Sequence, residues 1–329
     1  MSLAKNTLAW RRAHALLGAL LVEGLDGPRL EAVRAVPELA QPLPEGADLD
    51  ALAAEHYALL GRELPPLAGV FLDHGGLVGD SVCATVVRQA YAAMGVDCPD
   101  DPGPDHLGQA LLLMAMLADA ELGAGARDDT ANVRALQGWQ RRLLDEALLP
   151  WMPPLYAALR EQPTSLWTGV LAMAIGVLAR QRAVDPSLPW AGRSPGAGSD
   201  SLEGLLDDPR TDLRRVAEVL TTPARCGVYL APRDIEGLAR RCALPQGFGG
   251  RRDRLEKTLR AAAEYDAIPL LVEQLQHVLH ARDGIYAALG QEPGLAVHVG
   301  AWRRRVTATR RLLDRLGDAA HRVLDDVDR

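Results

Sequence analysis

A core for this chain must be assembled almost without aromatic rings. Phe, Trp and Tyr together make up 4% of the 329 residues, whereas 48% are hydrophobic. Leu, Ala and Val must fill the interior, and Leu and Ala are among the strongest helix formers. Such a composition is globular rather than disordered. The length exceeds what one compact domain usually needs and falls short of three.

Where a period is legible it is helical. Residues 5–24 carry Leu8, Ala15, Leu16, Ala19 and Leu20, with Gly24 as a stop. Pro28 suits a first turn, and Asp48 is placed to cap a helix that Gly61 ends. Residues 61–79 hold two prolines and five glycines and read as a long loop; loops of that length are usually functional or structurally pinned. Asp80 is expected to cap a helix ending at Gly95. A proline-rich turn then leads to a helix from about Asp105 to Leu122. The apolar run 110–117 within it is hydrophobic all round, which places it at the domain centre. Asp129 or Thr130 opens the next helix, which ends at Pro150-Trp151-Met152-Pro153-Pro154. A further apolar helix covers 164–181.

Residues 185–200 are rich in Pro, Gly and Ser and break every period, so a linker is expected there. Short helices fill 201–264. Two apolar stripes follow, one on Leu271, Val272, Leu275, Val278 and Leu279, the other on Trp302, Val306, Leu312, Leu313, Leu316, Val323 and Leu324. No strand pattern competes, so the expected fold class is all-α, a helical bundle followed by a smaller helical region. The expected organisation is a domain over 1–184, the linker, and an extension over 201–329.

The net charge of -7 argues against a nucleic-acid binder, which needs a basic surface. Residues 1–200 hold 15 basic and 24 acidic residues, and residues 201–329 hold 21 and 19. The first region is thus acidic and favours cationic partners, modestly so in physiological salt. Cys83, Cys98, Cys226 and Cys242 are widely spaced, with no CxxC and no zinc-type cluster, which fits reduced thiols and a cytoplasmic protein. The apolar run 166–179 stops at Arg180, too short to span a bilayer. Arg11-Arg12 before the apolar stretch 15–22 looks briefly like an export signal. That stretch meets Glu23 and Asp26 without a cleavage site, so a first helix is expected instead.

Catalytic signatures are scarce. Gly247-Phe248-Gly249-Gly250 lacks phosphate-loop spacing and reads as a helix-entry turn. Neither GxSxG nor HExxH is present. Asp73-His74 and Asp105-His106 invite a metal-hydrolase reading that eight scattered histidines do not support. No cofactor, metal or catalytic residue is assigned, and the chain is not expected to be an enzyme. Arg303-Arg304-Arg305 with Arg310-Arg311 is either a solvated face or a patch for an acidic partner. The best constellation is Pro104-Asp105-His106-Leu107 at the head of the central helix together with Trp151-Met152-Pro153 at the end of the next. Taken alone these are a helix cap and a core anchor.

At these residues the sequence resembles the TorD/DmsD/NarJ-like cytoplasmic chaperones that mature molybdenum redox enzymes. The family's Pro-Asp-His-Leu stands here as Pro104-Asp105-His106-Leu107, and Leu111 and Met114 also match; Ala110 and Leu113 replace the usual Glu and Phe. A second block keeps Leu144, Leu148, Trp151 and Pro153, with Ala147 in place of a usual His. A third runs from Gly69-Val70-Phe71-Leu72-Asp73 through Gly76-Leu77-Val78-Gly79 to Tyr91 and Gly95. The likeness covers roughly 8–182. It implies binding of the leader, often of twin-arginine type, or another segment of an apo molybdopterin oxidoreductase until its cofactor is inserted. It also implies a peptide groove at Pro104, Asp105, His106, Leu107, Tyr91, Trp151 and Pro153. No nucleic acid and no stable membrane association are expected, and the chain is a monomer or a dimer. The rivals are a helical adaptor without peptide binding and a metal- or nucleotide-dependent hydrolase.

Overall fold

A computed structural model describes residues 3–43, 46–73, 81–184 and 202–327. The described residues form helices and no strand, apart from one isolated antiparallel bridge between Leu67 and His106. The all-α expectation holds. In chain order the helices are α1 (Leu3–Glu23), α2 (Gly27–Arg34), α3 (Pro37–Ala40), α4 (Leu49–His56), α5 (Ala68–Leu72), α6 (Val82–Ala93), α7 (Leu107–Ala126), α8 (Thr130–Arg142), α9 (Met152–Leu159) and α10 (Leu166–Ala183). After the 185–201 stretch come α11 (Leu213–Thr221), α12 (Pro223–Cys226), α13 (Pro232–Arg241), α14 (Arg251–Glu264), α15 (Ile268–Leu289) and α16 (Ala296–Val327).

Local chemistry sets most boundaries. Asp26, Asp48 and Asp129 accept backbone N–H groups at the starts of α2, α4 and α8. Gly24 and Gly95 end helices with φ of 74° and 70°, a conformation open to glycine at little strain. Two expectations fail. Gly61 does not stop α4, because it does not take the positive φ that a glycine stop uses. The chain continues instead as a π-helix, Tyr57–Glu63, whose wider turn keeps both Leu59 and Leu60 buried. The cap of α6 is Ser81, whose Oγ accepts from Ala84 N at 3.1 Å, rather than Asp80; Asp80 lies outside the described residues.

The central helix is α7, as its all-round hydrophobicity implies. It is long and apolar enough to cross a bilayer by length and composition, yet 67% of its most apolar stretch is buried inside the protein. It crosses α1 backbone to backbone at two glycines. A Cβ on Gly18 would sit 2.9 Å from the Gly108 carbonyl oxygen, and one on Gly108 would sit 2.9 Å from the Leu21 Cβ. α8 packs on α7, and α10 on α1. The second half pairs α15 with α16 and α11 with α14.

The linker expected over 185–200 lies outside the described residues. On either side of it the chain shares one continuous apolar core, from Leu17 to Leu313. Trp302 of α16 is fully buried and donates its Nε1–H to the Pro150 carbonyl at 2.8 Å. Tyr229 donates to the Glu63 carbonyl at 2.9 Å. Arg282 of α15 is 2% exposed, donates to the Ala157 carbonyl, and pairs with both Glu161 and Asp234 at 3.4 Å. A buried arginine persists only when its charge and donors are met in this way.

Trp302→Ala should therefore cost about 3–5 kcal/mol, a large buried ring traded for a cavity, in a single denaturant transition. A fragment ending at residue 184 should aggregate and bind a hydrophobic dye, because it bares Phe71 and Trp151. A monomeric, dye-silent fragment on size-exclusion chromatography would show that the first region folds without the second.

Candidate functional site

The motif at the head of α7 is fixed by a short segment from far back in the chain. Ala68 N donates to the Asp105 carbonyl at 2.9 Å, and Leu107 N donates to the Pro66 carbonyl at 2.8 Å. These two bonds make the isolated bridge. Pro65 and Pro66 hold that segment extended, since proline disfavours helix in the residue before it. The bridge fastens the 64–67 stretch and α5 onto the first turn of α7.

Asp105 is not the cap of its own helix. The N-cap of α7 is His106, with φ -77° and ψ 131°, whose Nδ1 accepts from Gly108 N at 3.1 Å. Asp105 instead reaches across to α5, where Oδ2 accepts from Gly69 N at 3.4 Å. The shift of one residue follows from the bridge, which holds His106 extended and lets helix begin only at Leu107. For His106 to accept at Nδ1, that nitrogen must be unprotonated. Burial, and next the charge of nearby His56, lowers the His106 pKa to about 4, so the ring is neutral with its proton on Nε2.

The seven residues expected to form a peptide groove are all buried. Asp105 is 3% exposed, His106 8%, Leu107 0%, Tyr91 3% and Trp151 1%, and Pro104 and Pro153 are buried as well. Pro104, Asp105, His106 and Leu107 lie together under α5. Trp151 joins them from the far side of α5: it stacks on Phe71 with ring centroids 5.4 Å apart and donates Nε1–H to the Ala147 carbonyl at 2.8 Å. Phe71 in turn lies 5.2 Å from the Tyr229 ring, so the second half of the chain closes over this side. Cys83 is buried in the same region. Burial, and next the Asp105 charge, pushes its thiol up to about 12, which makes it a poor nucleophile.

Tyr91 sits apart from the others, on the opposite flank of the first turn of α7, where its hydroxyl accepts from Gln109 Nε2. Both residues line an open groove of about 940 Å³ between α1, α7 and the 96–101 turn. Its floor is apolar, with Leu16, Leu112, Ala115 and Met116. Asp97 and Asp101 stand exposed at one end; at the other Arg11 pairs with Asp119 and Arg12 is exposed beside them. Of the seven expected residues, only Tyr91 lines this groove. Leu112 and Met116 are four residues apart, hence on one face, but an all-round apolar run does not say which face stays uncovered.

Among the described residues no group of three or more His, Cys, Asp and Glu is placed to hold a metal ion. Of the Asp73-His74 pair, His74 lies outside the described residues. Gly247 to Gly250 is a helix entry, as expected, with Phe248 77% exposed ahead of α14. The α16 arginines are partly structural: Arg303 pairs with Asp283 at 2.8 Å, and the Arg305 guanidinium lies 4.9 Å from the Trp302 ring centroid.

Residues 28–157 match a family model described as nitrate reductase delta subunit. No curated protein matches the chain, and no solved structure does.

Asp105→Ala should lower stability by about 2 kcal/mol, through loss of a buried acceptor rather than a surface cap; Asp105→Asn, which keeps an oxygen, should lose less. Equal stability of wild type and both variants in urea titration would show that Asp105 does not hold α5. A second outcome concerns acid. His14, His106 and His298 are each lowered from 6.5 to about 4, mainly by burial. Between those values the unfolded chain binds protons that the folded chain does not, so stability falls as pH drops below 6.5. Going from pH 7.5 to 5.0 should remove roughly 2 kcal/mol for each histidine. A flat urea midpoint across that range would mean that these rings are not held neutral.

Proposed function

The chain belongs, through residues 28–157, to the nitrate reductase delta subunit family, the NarJ/TorD-type chaperones of molybdoenzyme maturation, and on that premise we propose that its α1–α7 groove binds the leader of an apo molybdopterin oxidoreductase. The observation that carries this reading is the polarity of the groove. A leader presents a basic region followed by an apolar stretch. The groove presents exposed Asp97 and Asp101 at one end and the Leu16, Leu112 and Met116 floor beside them. The basic region meets the carboxylates, and the apolar stretch lies along α1 and α7 in the helix-in-groove manner.

In this scheme the motif works from beneath. Pro104, Asp105, His106 and Leu107 hold the first turn of α7, and so fix where Gln109 and Leu112 stand. Tyr91 is the one expected residue that lines the groove itself. Trp151 and Pro153 hold α5 and α9 in place behind it. The protein acts in the cytoplasm, without chemistry of its own, and releases the client once molybdopterin is inserted. The adaptor and hydrolase rivals have no comparable observation in their favour.

Calorimetric titration with a synthetic peptide, an arginine pair followed by an apolar helix-forming stretch, tests the reading. Met116→Glu should weaken binding about tenfold by placing a charge on the apolar floor. Asp97→Asn with Asp101→Asn should weaken it about fivefold at low salt and less at high salt, as exposed ion pairs do. Unchanged affinity in both folded variants would remove the leader from this groove.

A further inference from the structure

A second groove, unconnected with the leader reading, lies where α9, α10 and α15 meet. Both α10 and α15 pack on α9, and α9 forms the floor of a trough of about 850 Å³ between them. Small residues take up much of its walls, beside Ile175, Ile285 and Leu289. Ala172, Gly176, Ala179 and Ala183 follow one face of α10, and Ala281, Gly284 and Ala288 follow one face of α15. The turn at Pro293-Gly294 closes one end, with Gly294 so near the Ala179 carbonyl that no Cβ fits. At the other end Ala281 is shared with a polar cavity of about 430 Å³ under α13, so the trough continues along α15.

The chain's own packing does not call for glycine in these walls. A Cβ on Gly284 would meet nothing within 4 Å, and one on Gly176 would meet only the end of the Arg180 side chain, at 3.6 Å. Glycine is the poorest helix former short of proline, and both positions lie inside helices. What glycine and alanine on two facing walls permit is the close approach of a third helix backbone.

The charge of the trough is the reverse of the leader groove. Six arginines line its two parts, Arg160, Arg180, Arg233, Arg240, Arg241 and Arg282, against Glu161, Asp234 and Glu292. Arg282 is spent on Glu161 and Asp234. Arg233 and Arg241 donate to Gln162 and Gln274. Arg160, Arg180 and Arg240 are exposed and have no ion-pair partner among the described residues. We propose that this trough docks an acidic amphipathic helix of a protein partner. The small or apolar face of that helix lies between α10 and α15, and its carboxylates lie on Arg160, Arg180 and Arg240. A leader, being basic, is the wrong charge for it, so the protein carries two docking surfaces of opposite sign.

The test uses the full chain and two fluorescein-labelled peptides read by anisotropy. One is an amphipathic helix with Ala and Leu on one face and Glu on the other; the second carries Lys in place of Glu. The Glu peptide should bind and the Lys peptide should not. Arg160→Glu with Arg180→Glu should weaken the Glu peptide about fivefold and admit the Lys peptide. Gly176→Leu with Gly284→Leu, whose side chains enter open space, should weaken the Glu peptide about tenfold by filling the trough. Thermal melting and affinity for the basic leader peptide should stay unchanged in both double variants, which separates this proposal from the leader reading. Three results would overturn it: equal binding of the two peptides or of neither; binding of the Glu peptide that neither double variant alters; or occupation by something else, seen as oleate binding without peptide binding or as a dimer in sedimentation that the glycine variants dissolve.

Discussion

The rest of the structure hangs on one buried carboxylate and the strand-like tie beside it. Asp105 is 3% exposed and turns away from its own helix to meet the backbone of α5. A short helix of five residues has too few internal bonds to persist alone. It persists here because Asp105 takes one of its free N–H groups and the Leu67–His106 bridge anchors its entry. α5 then sets Phe71 between Trp151 and Tyr229, and that stack joins the two halves of the chain. In a core with so few aromatic rings, the position of each one decides the packing around it.

That dependence explains what could be read from the sequence and what could not. The all-α class, the central α7, the Asp129 cap and the broken stretch at Pro150 all follow from local propensity and period, and each stands where those signals put it. Asp105 does not, because Asp before an apolar run signals a cap for the helix that follows. The bond that competes for it comes from Gly69, 36 residues earlier in the chain, and no local rule carries such a contact. The open groove leaves no local signal for a related reason. Pro104 through Leu107, Trp151 and Pro153 are distinctive because they hold the fold, whereas Leu112, Met116, Asp97 and Asp101, which line the groove, are ordinary residues that become distinctive only when α1 leaves one face of α7 bare.

The second half of the chain is part of the same folded object. Trp302 takes the carbonyl of Pro150, at a point where the helix through α8 has already loosened into a π turn and then a 3-10 turn. Proline at 150, 153 and 154 removes backbone donors there, so carbonyls upstream need other partners. Trp302 supplies one from 152 residues away. The cover that α16 and the 227–231 stretch place over α5 and α9 shuts the Trp151 side of the motif, whereas the groove on the α1 side is open. The α10–α15 trough is the work of another element of the second half, α15, which packs on α9 beside α10.

Between α1, α7, α8 and α10 runs a chain of buried polar groups with a single sense. His14 Nε2 donates to Gln181 Oε1 at 2.7 Å, Gln181 Nε2 to Gln140 Oε1 at 3.2 Å, and Gln140 Nε2 to Glu121 Oε2 at 2.7 Å. Glu121 also takes Gln137 at 2.8 Å and Thr7 at 3.4 Å. Each amide must point its oxygen toward His14 and its nitrogen toward Glu121, so the carboxylate sets the orientation of every group and, at the far end, the tautomer of the histidine. One acceptor, His14 Nδ1, has no hydrogen-bond partner among the described residues. Leucine at these positions would bury as much surface without that loss, so stability alone does not account for the chain. What it adds is register. α1 and α7 meet on glycines, and glycines permit sliding where interlocking side chains would not. A directional hydrogen-bond chain that closes only in one alignment removes that freedom, and it fixes both walls of the groove between α1 and α7.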